Sequence, residues 1–511
     1  MRKFTPNRNL TGGLRLPANK TESTSRPIKT GPIPPRLIVS MRQHHGPAAV
    51  PSVAVGDTVH AGETIGRSIE HRGADVHAPS SGTVTAIECR SVPLHSAVAS
   101  EVCVVIETDG QHRRFEALPA FDPDLNSRDE TIAAIAAAGI VGLGGAAYPT
   151  AAKLASGAAC KLLILNGAEC EPYISCDDML MREAARDIVA GAEWLRRIAG
   201  ARESVIAIER DKPQAIEAID EAAEALGADH LRIAEIPSVY PAGGERQLIE
   251  ILTGFEIPTG HFPSEFGYVC QNVGTAYAIA RLFEHREPLT TRIVTITGSG
   301  VAEPCNVAAL IGTPIADLIA HCGGYTGDVL RLLHGGSMMG YALDSDALPI
   351  TKTSNCIVAA ADDEISVTQH EWSCIRCGEC ANVCPARLQP QDLLIAAEQR
   401  DPASLTTLGL ADCIECGCCD VVCPSHIRLT ERFRSAKPAL ARHLRDVAFA
   451  DESDARYRWR EQRRRVDAAR EHERQAALRE QADSQAKARA AIEAAVQRAR
   501  SKKRQPSSSD V

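Results

Sequence analysis

Aromatic residues are scarce, at 4% of 511 residues, and there is no excess of positive charge, the net charge being -9. A chain with neither a basic field nor a supply of stacking rings is poorly suited to nucleic acid, and that partner is excluded. Long hydrophobic runs are missing too. Met1 to Pro35 is polar and proline-rich with no apolar core segment, so no signal peptide is expected. Thr131 to Ala152 carries no charge over 22 residues, long enough to span a bilayer. It is mostly alanine and glycine, with Gly142, Gly144, Gly145 and Pro149 crowded at one end. Weak hydrophobicity and poor helix propensity together predict a soluble helix running into a glycine loop. The protein is thus expected to sit on a membrane at most. Its length allows about three to five domains.

Lysine is absent between Lys29 and Lys153. Within that gap, Ala54 to Glu88 reads AVGDTVHAGETIGRSIEHRGADVHAPSSGTVTAIE, short alternating stretches separated by Gly-Asp, Ala-Gly and Ser-Gly turns. This signals a compact all-β module. The string resembles a biotinyl/lipoyl-type barrel-sandwich, whose carriers need a lysine at the hairpin tip. The swinging-arm function is therefore excluded by chemistry, and residues 1–125 are read as a barrel-sandwich without its carrier role.

Alternation of helical and strand-like stretches over 126–290, the strands including Lys161 to Leu165 and Ser204 to Ile208, predicts an α/β layer. Residues 291–352 open with TRIVTITGSG and contain IGTPIADLIAHCGG, a strand and then a helix begun near Thr313-Pro314 with a glycine stop, which fits a small α+β unit. A cysteine-rich block covers 353–438. From Ala439 to Gln505 there is neither glycine nor proline, and opposite charges stand four apart at Glu461/Arg465 and Asp483/Lys487. This predicts a long solvated helix without a sustained heptad, disordered over its last ten residues. The fold class is multidomain, α/β plus α+β.

Cysteine is plentiful: 18 residues, nine of them between Cys374 and Cys423. A secreted disulfide scaffold would be short and evenly laced with cysteine, so this pattern indicates reducing cytoplasm and a metal site. Residues 374–385 read CIRCGECANVCP and residues 413–424 read CIECGCCDVVCP. Both fit the spacing that wraps three thiolates of one loop around a four-iron, four-sulfur cluster while the fourth crosses to the other cluster. One set is Cys374, Cys377, Cys380 and Cys423. The other is Cys413, Cys416, Cys419 and Cys384. Using Cys418 instead would break the spacing, so it is read as a non-ligand. Structural zinc would pair two short knuckles rather than place four cysteines in one run.

Residues 139–154 read GIVGLGGAAYPTAAKL, a glycine loop preceded by helix rather than strand. Glycines let backbone amides approach a phosphate or flat ring, although an alanine–glycine packing loop has the same composition. The strand KLLILNGAECEPYISCDD follows, ending in Asn166, Glu169 and Glu171. Polar groups at that end of a strand face the crevice where α/β sheets bind ligands. YPAGGERQLI adds a turn with Gly243, Gly244 and Glu245, and QNVGTAYAIA places Asn272 and Thr275 at a helix start suited to phosphate. Together these supply several donors for a flavin mononucleotide.

These pieces resemble the flavin- and NADH-binding subunit of respiratory complex I. Over about residues 10–430 the chain more closely resembles the C subunit of the Rnf ion-translocating electron transport complex. GGLRLPANKTESTSRPI, QHHGPAAVPSVAVGDTV, VHAPSSGTVTAIE, GGSMMG at 335–340 and the two cysteine motifs carry that resemblance. It implies FMN and NADH over 126–290, with Gly144, Gly145, Lys153, Asn166, Asn272 and Thr275 contacting the flavin, and Gly243 is read as cofactor-binding beside them. Glu169 and Glu171 would lie on the NADH side. It further implies a β-grasp-like, SLBB-type unit over 291–352 and a peripheral subunit on the cytoplasmic face of a bacterial inner membrane. Its partners would be the other subunits of a membrane electron transport complex and a ferredoxin-like carrier.

Two positions depart from the pattern: Ala147 replaces a glycine of a G-G-A-G-F-P-T loop, and Ala168 stands where complex I has aspartate. A methyl at 147 would crowd the ring or the nicotinamide. The working function is that of an NADH:ferredoxin-type, ion-translocating oxidoreductase in which flavin divides a hydride's electron pair between two clusters. The rival is a cluster-only relay that has lost nucleotide binding. A soluble dehydrogenase is disfavoured, because His261, His285 and His321 are scattered and form no acid/base constellation.

Overall fold

The structure is a computed structural model, and it describes residues 3–70, 73–116, 118–121, 126–155, 159–327, 329–362, 364 and 370–503. The disorder expected for the last ten residues falls mostly outside the described residues. Residues up to Ala436 form one compact unit and those from Lys437 a second.

The first module is two small antiparallel sheets. A long hairpin, β1 (Gly82–Pro93) and β2 (Val98–Thr108), carries most of it, with Pro93 opposite Val98 at the tip. Arg36–Ser40 pairs with β2 and Thr58–Val59 with β1. Val50–Pro51, Thr64–Arg67 and Val76–His77 form the second sheet. Alternate residues such as Leu37, Val39, Ile65, Val84, Val104 and Ile106 turn inward and are fully buried. That is the compact all-β module expected from the turn spacing, with the barrel-sandwich form the resemblance implied.

The charge-free stretch forms helix α1 (Arg128–Ala137), a loop, and helix α2 (Thr150–Ala155). Ser127 and Glu130 make a capping box that starts α1. No helix among the described residues is long and apolar enough to cross a membrane. A parallel sheet follows, built from β3 (Leu162–Gly167), β4 (Glu203–Glu209), β5 (Leu231–Ile236) and β6 (Tyr268–Asn272). In β3, Leu163 and Leu165 pack on one helical layer and Ile164 on the other, so an unbroken apolar run serves both faces. The sheet order is Lys3–Phe4, β5, β4, β3, β6. The chain thus leaves β3 in one direction through β4 and β5, then returns to its other side with β6. This reversal between β3 and β6 opens a crevice at their carboxyl ends.

The third sheet holds β7 (Thr291–Thr297) antiparallel to Cys305–Leu310, and the helix after it runs Ile315–His321, as the Thr313-Pro314 start predicts. The sheet continues past residue 352, because β8 (Cys356–Ala360) lies parallel to β7 with all five residues buried. Lys29–Thr30 adds a strand at its far edge. A helix of 74 residues, Leu429–Lys502, ends the described chain, beginning before the expected Ala439 and carrying Pro438 inside it. Beyond His443 nearly all of its side chains face solvent, with ion pairs such as Arg456–Glu452 (2.6 Å) and Arg465–Glu461 (3.7 Å) along it.

Three distant segments meet at Lys352. Its side chain is fully buried, and Nζ donates to Asp75 O (3.0 Å) of the barrel-sandwich and Gly139 O (2.7 Å) after α1. Burial pushes this ammonium down from 10.5 to about 7. Between those values the unfolded chain binds the proton and the folded chain does not, so stability rises with pH across that window. Urea unfolding from pH 7 to 10 should show the wild type gaining up to about 4 kcal/mol relative to Lys352→Met. Parallel pH profiles for the two proteins would contradict this.

Candidate functional site

The glycine loop is closed on itself by Gly142 N–H donating to Tyr148 O (2.8 Å). Leu143 N–H donates to the buried Thr275 hydroxyl (2.9 Å), which ties the loop to the helix Val273–His285, here α3. Gly145 has φ +99° and open space where a Cβ would stand. A Cβ on Gly144 would reach Asn272 at 3.4 Å. Ala147 adopts φ +46°, the region that favours glycine, which accounts for the glycine in the family pattern. Its methyl packs in the hydrophobic cluster with Leu143 and Ala151, so the crowding expected from it falls on the core instead of the crevice.

Asn166 at the end of β3 stands opposite Asn272 at the end of β6. Asn166 Nδ2 donates to Gly243 O (2.8 Å), and its Oδ1 accepts from Ala168 N–H (3.1 Å). Asn272 caps α3, accepting from Gly274 N–H (2.8 Å), and donates to Asp177 (2.6 Å). Gly144, Asn166, Gly243 and Asn272 thereby converge at the crevice, with Gly145 on its open side. Lys153 is drawn into an ion pair with Glu245 (2.7 Å).

The two glutamates are held by backbone donors. Glu169 accepts from Asp177 N–H (2.8 Å) and Asp178 N–H (3.2 Å), capping the helix Cys176–Glu183. Burial raises its carboxyl to about 7 against the pull of Lys20 and Lys212. Glu171 accepts from Met338 N–H (2.7 Å) and Met339 N–H (2.9 Å) of the GGSMMG turn. A Cβ on Gly336 would lie 2.2 Å from Glu171, which explains a glycine there. Lys212 escaped sequence reasoning because no local spacing marks it, and Lys20 and Asp177 stood inside stretches already read but had no role assigned. Tyr240 lay inside a quoted motif but had no assigned partner.

In the cysteine block the two motifs fold alike. Arg376 and Glu415, Gly378 and Gly417, and Arg387 and His426 are left-handed at matching positions. Each motif ends with a backbone amide on its fourth sulfur: Leu388 N–H on Cys384 (3.4 Å) and Ile427 N–H on Cys423 (3.5 Å). Cys374, Cys377, Cys380 and Cys423 line one cavity, so the fourth thiol arrives from the other motif. Burial raises the Cys384 thiol, and Cys416 adds to that shift from nearby. Cys413 and Cys416 act likewise on Cys419. Cys418 is fully buried beside Tyr240, whose hydroxyl donates to Cys416 O (2.7 Å). The other loop faces outward, with Cys374, Cys377, Trp372 and Ile375 all exposed.

These residues fit the groups expected of them. Glycine backbone with open space suits a phosphate and a flat ring, and four thiols around one cavity suit a cubane. Asn272→Ala should cost the cofactor-free protein about 1–2 kcal/mol in denaturant unfolding. Asn272→Asp, an equally good cap in isolation, should cost more because it faces the Asp177 carboxylate. Equal stability of the two variants would count against the Asn272–Asp177 bond.

Family models match three stretches: the RnfC barrel sandwich hybrid domain over 8–111, the Nuo51 FMN-binding domain over 135–281 and the SLBB domain over 293–342. The C subunit of the ion-translocating oxidoreductase complex of Pseudomonas aeruginosa is 44% identical over 470 residues, covering 92% of this chain and 60% of that protein. The protein of the same description from Vibrio cholerae is 41% identical over 500 residues, covering 97% and 64%. A solved NAD+-reducing [NiFe]-hydrogenase in the H2-reduced state aligns with a TM-score of 0.45 at 19% identity, covering 64% of this chain and 62% of that one. The chain spans about three fifths of the length of the curated relatives it matches. Over nearly all of its residues the chain is similar to C subunits of ion-translocating oxidoreductase complexes.

Proposed function

We propose that this chain is the electron-input subunit of a membrane-bound ion-translocating oxidoreductase, passing electrons between NADH and two four-iron clusters by way of FMN. The observation that carries the reading is the crevice at the reversal between β3 and β6, rimmed by the glycine loop, with the second cysteine loop tied beside it through Tyr240. Relatives named for ion translocation support the coupling, and partner subunits would perform it at the membrane. The chain itself would sit peripherally on the cytoplasmic face of the inner membrane.

Bound flavin takes a hydride as an electron pair and releases the electrons singly. The chain's part is placement. Amides of the loop around Gly144 and Gly145 would approach the flavin phosphate, while Asn166, Gly243 and Asn272 would bound the crevice floor. Lys153, already paired with Glu245, would add positive charge nearby. Glu171 holds the 336–339 turn against the crevice rim, which would limit water around a bound nicotinamide. Eight cysteines would hold the two clusters, Cys374, Cys377, Cys380 and Cys423 for one and Cys413, Cys416, Cys419 and Cys384 for the other. A ferredoxin-like carrier would meet the outward loop.

The cluster-only relay has one observation in its favour: Lys153, Asn166, Glu169, Glu171, Asn272 and Thr275 all have protein partners already. Anaerobic reconstitution with iron and FMN, followed by NADH, separates the two readings. Bleaching of the flavin and then of the cluster absorption is expected. Iron near eight per chain with no bound flavin and no response to NADH would leave the relay. Crossed ligation gives a further expectation. Cys384→Ala should lower iron from about eight to about four per chain and spare the cluster held by Cys374, Cys377 and Cys380, whose own motif contains the substituted residue. Loss of that cluster instead, read by the paramagnetic resonance of the reduced protein, would refute the crossing.

A further inference from the structure

The barrel-sandwich has no carrier lysine, yet its longest hairpin ends on the glycine loop. At the β1–β2 tip, His95 Nδ1 lies 2.9 Å from Gly145 O. A carbonyl only accepts, so Nδ1 carries the proton in this contact and Nε2 is the other ring nitrogen. The tip is anchored on its second side by the third sheet. Tyr341 Oη donates to Leu94 O (2.7 Å) and Thr351 Oγ1 to Pro93 O (3.1 Å). From the same module, His45 N–H donates to Ala147 O (3.1 Å), and the His45 and His95 rings sit 5.7 Å apart.

Two carbonyls of one short loop are therefore turned toward the barrel-sandwich. In a trans peptide the carbonyl and the following N–H point in opposite directions. Fixing Gly145 O and Ala147 O toward the module consequently aims the Ala146 and Tyr148 amides away from it. Gly145 has no side chain to hold that orientation, and the space beside it is open. Its freedom to rotate is what makes an external hold necessary.

We propose that the hairpin tip is a clamp for the glycine loop and that His95 is its positioning residue, setting the loop amides to receive the phosphate-bearing flavin. The proposal rests on the reading that this loop holds FMN, and it gives the module a role its missing lysine denies it as a carrier.

The test compares His95→Ala and His95→Asn with the wild type. The asparagine Nδ2 sits where imidazole Nδ1 does and can donate the same bond. Hydrogen exchange of the segment 142–149 in the cofactor-free protein is measured first. Exchange should quicken about five- to ten-fold in His95→Ala, the worth of one ordinary hydrogen bond, and return to within about two-fold of wild type in His95→Asn. FMN binding, followed by quenching of flavin fluorescence, should weaken by a similar factor and recover in the same variant, at unchanged iron content. Unchanged exchange in His95→Ala, or no rescue by His95→Asn, would overturn the clamp. A wild type that binds no FMN while the exchange pattern holds would overturn the flavin reading and leave the clamp standing.

Discussion

Three parts of the fold are joined through one buried lysine. Lys352 brings a strongly polar amine into the core, a cost offset only where its donors find acceptors. Here Asp75 O and Gly139 O receive it, and Gln43 accepts from the Lys352 amide (3.0 Å). Gly139 is where α1 ends and the glycine loop begins, so the point of attachment is also the hinge of the candidate site. With that corner fixed, the hairpin tip reaches Gly145 from one side and the 336–339 turn reaches Glu171 from another. The crevice is thus a meeting of modules, and its walls come from residues far apart in the chain.

Within the crevice, backbone and side chain have divided the work. The polar side chains that sequence reasoning selects are mostly engaged in holding turns and helix starts. Asn272 caps, Asn166 braces the Gly243 turn, and Glu169 and Glu171 collect backbone amides. What remains open is glycine backbone. A site of this kind recognises a ligand by shape and by amide direction more than by charge, which suits a phosphate and a flat ring. It also explains how the same residues can support a crevice whether or not a nucleotide occupies it.

What could be read from sequence tracks how local the signal is. The cysteine motifs were legible because ligand spacing is a local property, and Cys423 lines the cavity of the first motif. The all-β character of the first module, the helix running into glycines and the alternation of strands and helices were legible for the same reason. Long-range pairing was not. Cys356–Ala360 reads as the start of the cysteine block by position, yet it belongs beside β7. Lys3–Phe4 and Lys29–Thr30 sit in the first segment yet pair with β5 in the parallel sheet and with Cys305–Leu310 in the sheet of β7. Glu169 and Glu171 were visible as acids at a strand end, but only distant backbone, at 177–178 and 338–339, reveals what they hold. Ala147 looked like an obstruction, because sequence shows a methyl and not the direction in which it points.

The borrowing of Cys423 by the first cysteine cavity has a consequence for durability. Each loop lends a wall to its neighbour, so chemical injury is not confined to the loop that suffers it. Peroxide converts a thiolate first to a sulfenic acid and then further along an irreversible course. A lesion at Cys423 would leave its own loop with three intact thiols and remove the closing wall from the other. The outward loop, with Cys374 and Cys377 at the surface, is the side such an oxidant meets first. In a pair built this way, damage to the last cysteine of one loop would be felt by the cluster that the other loop holds.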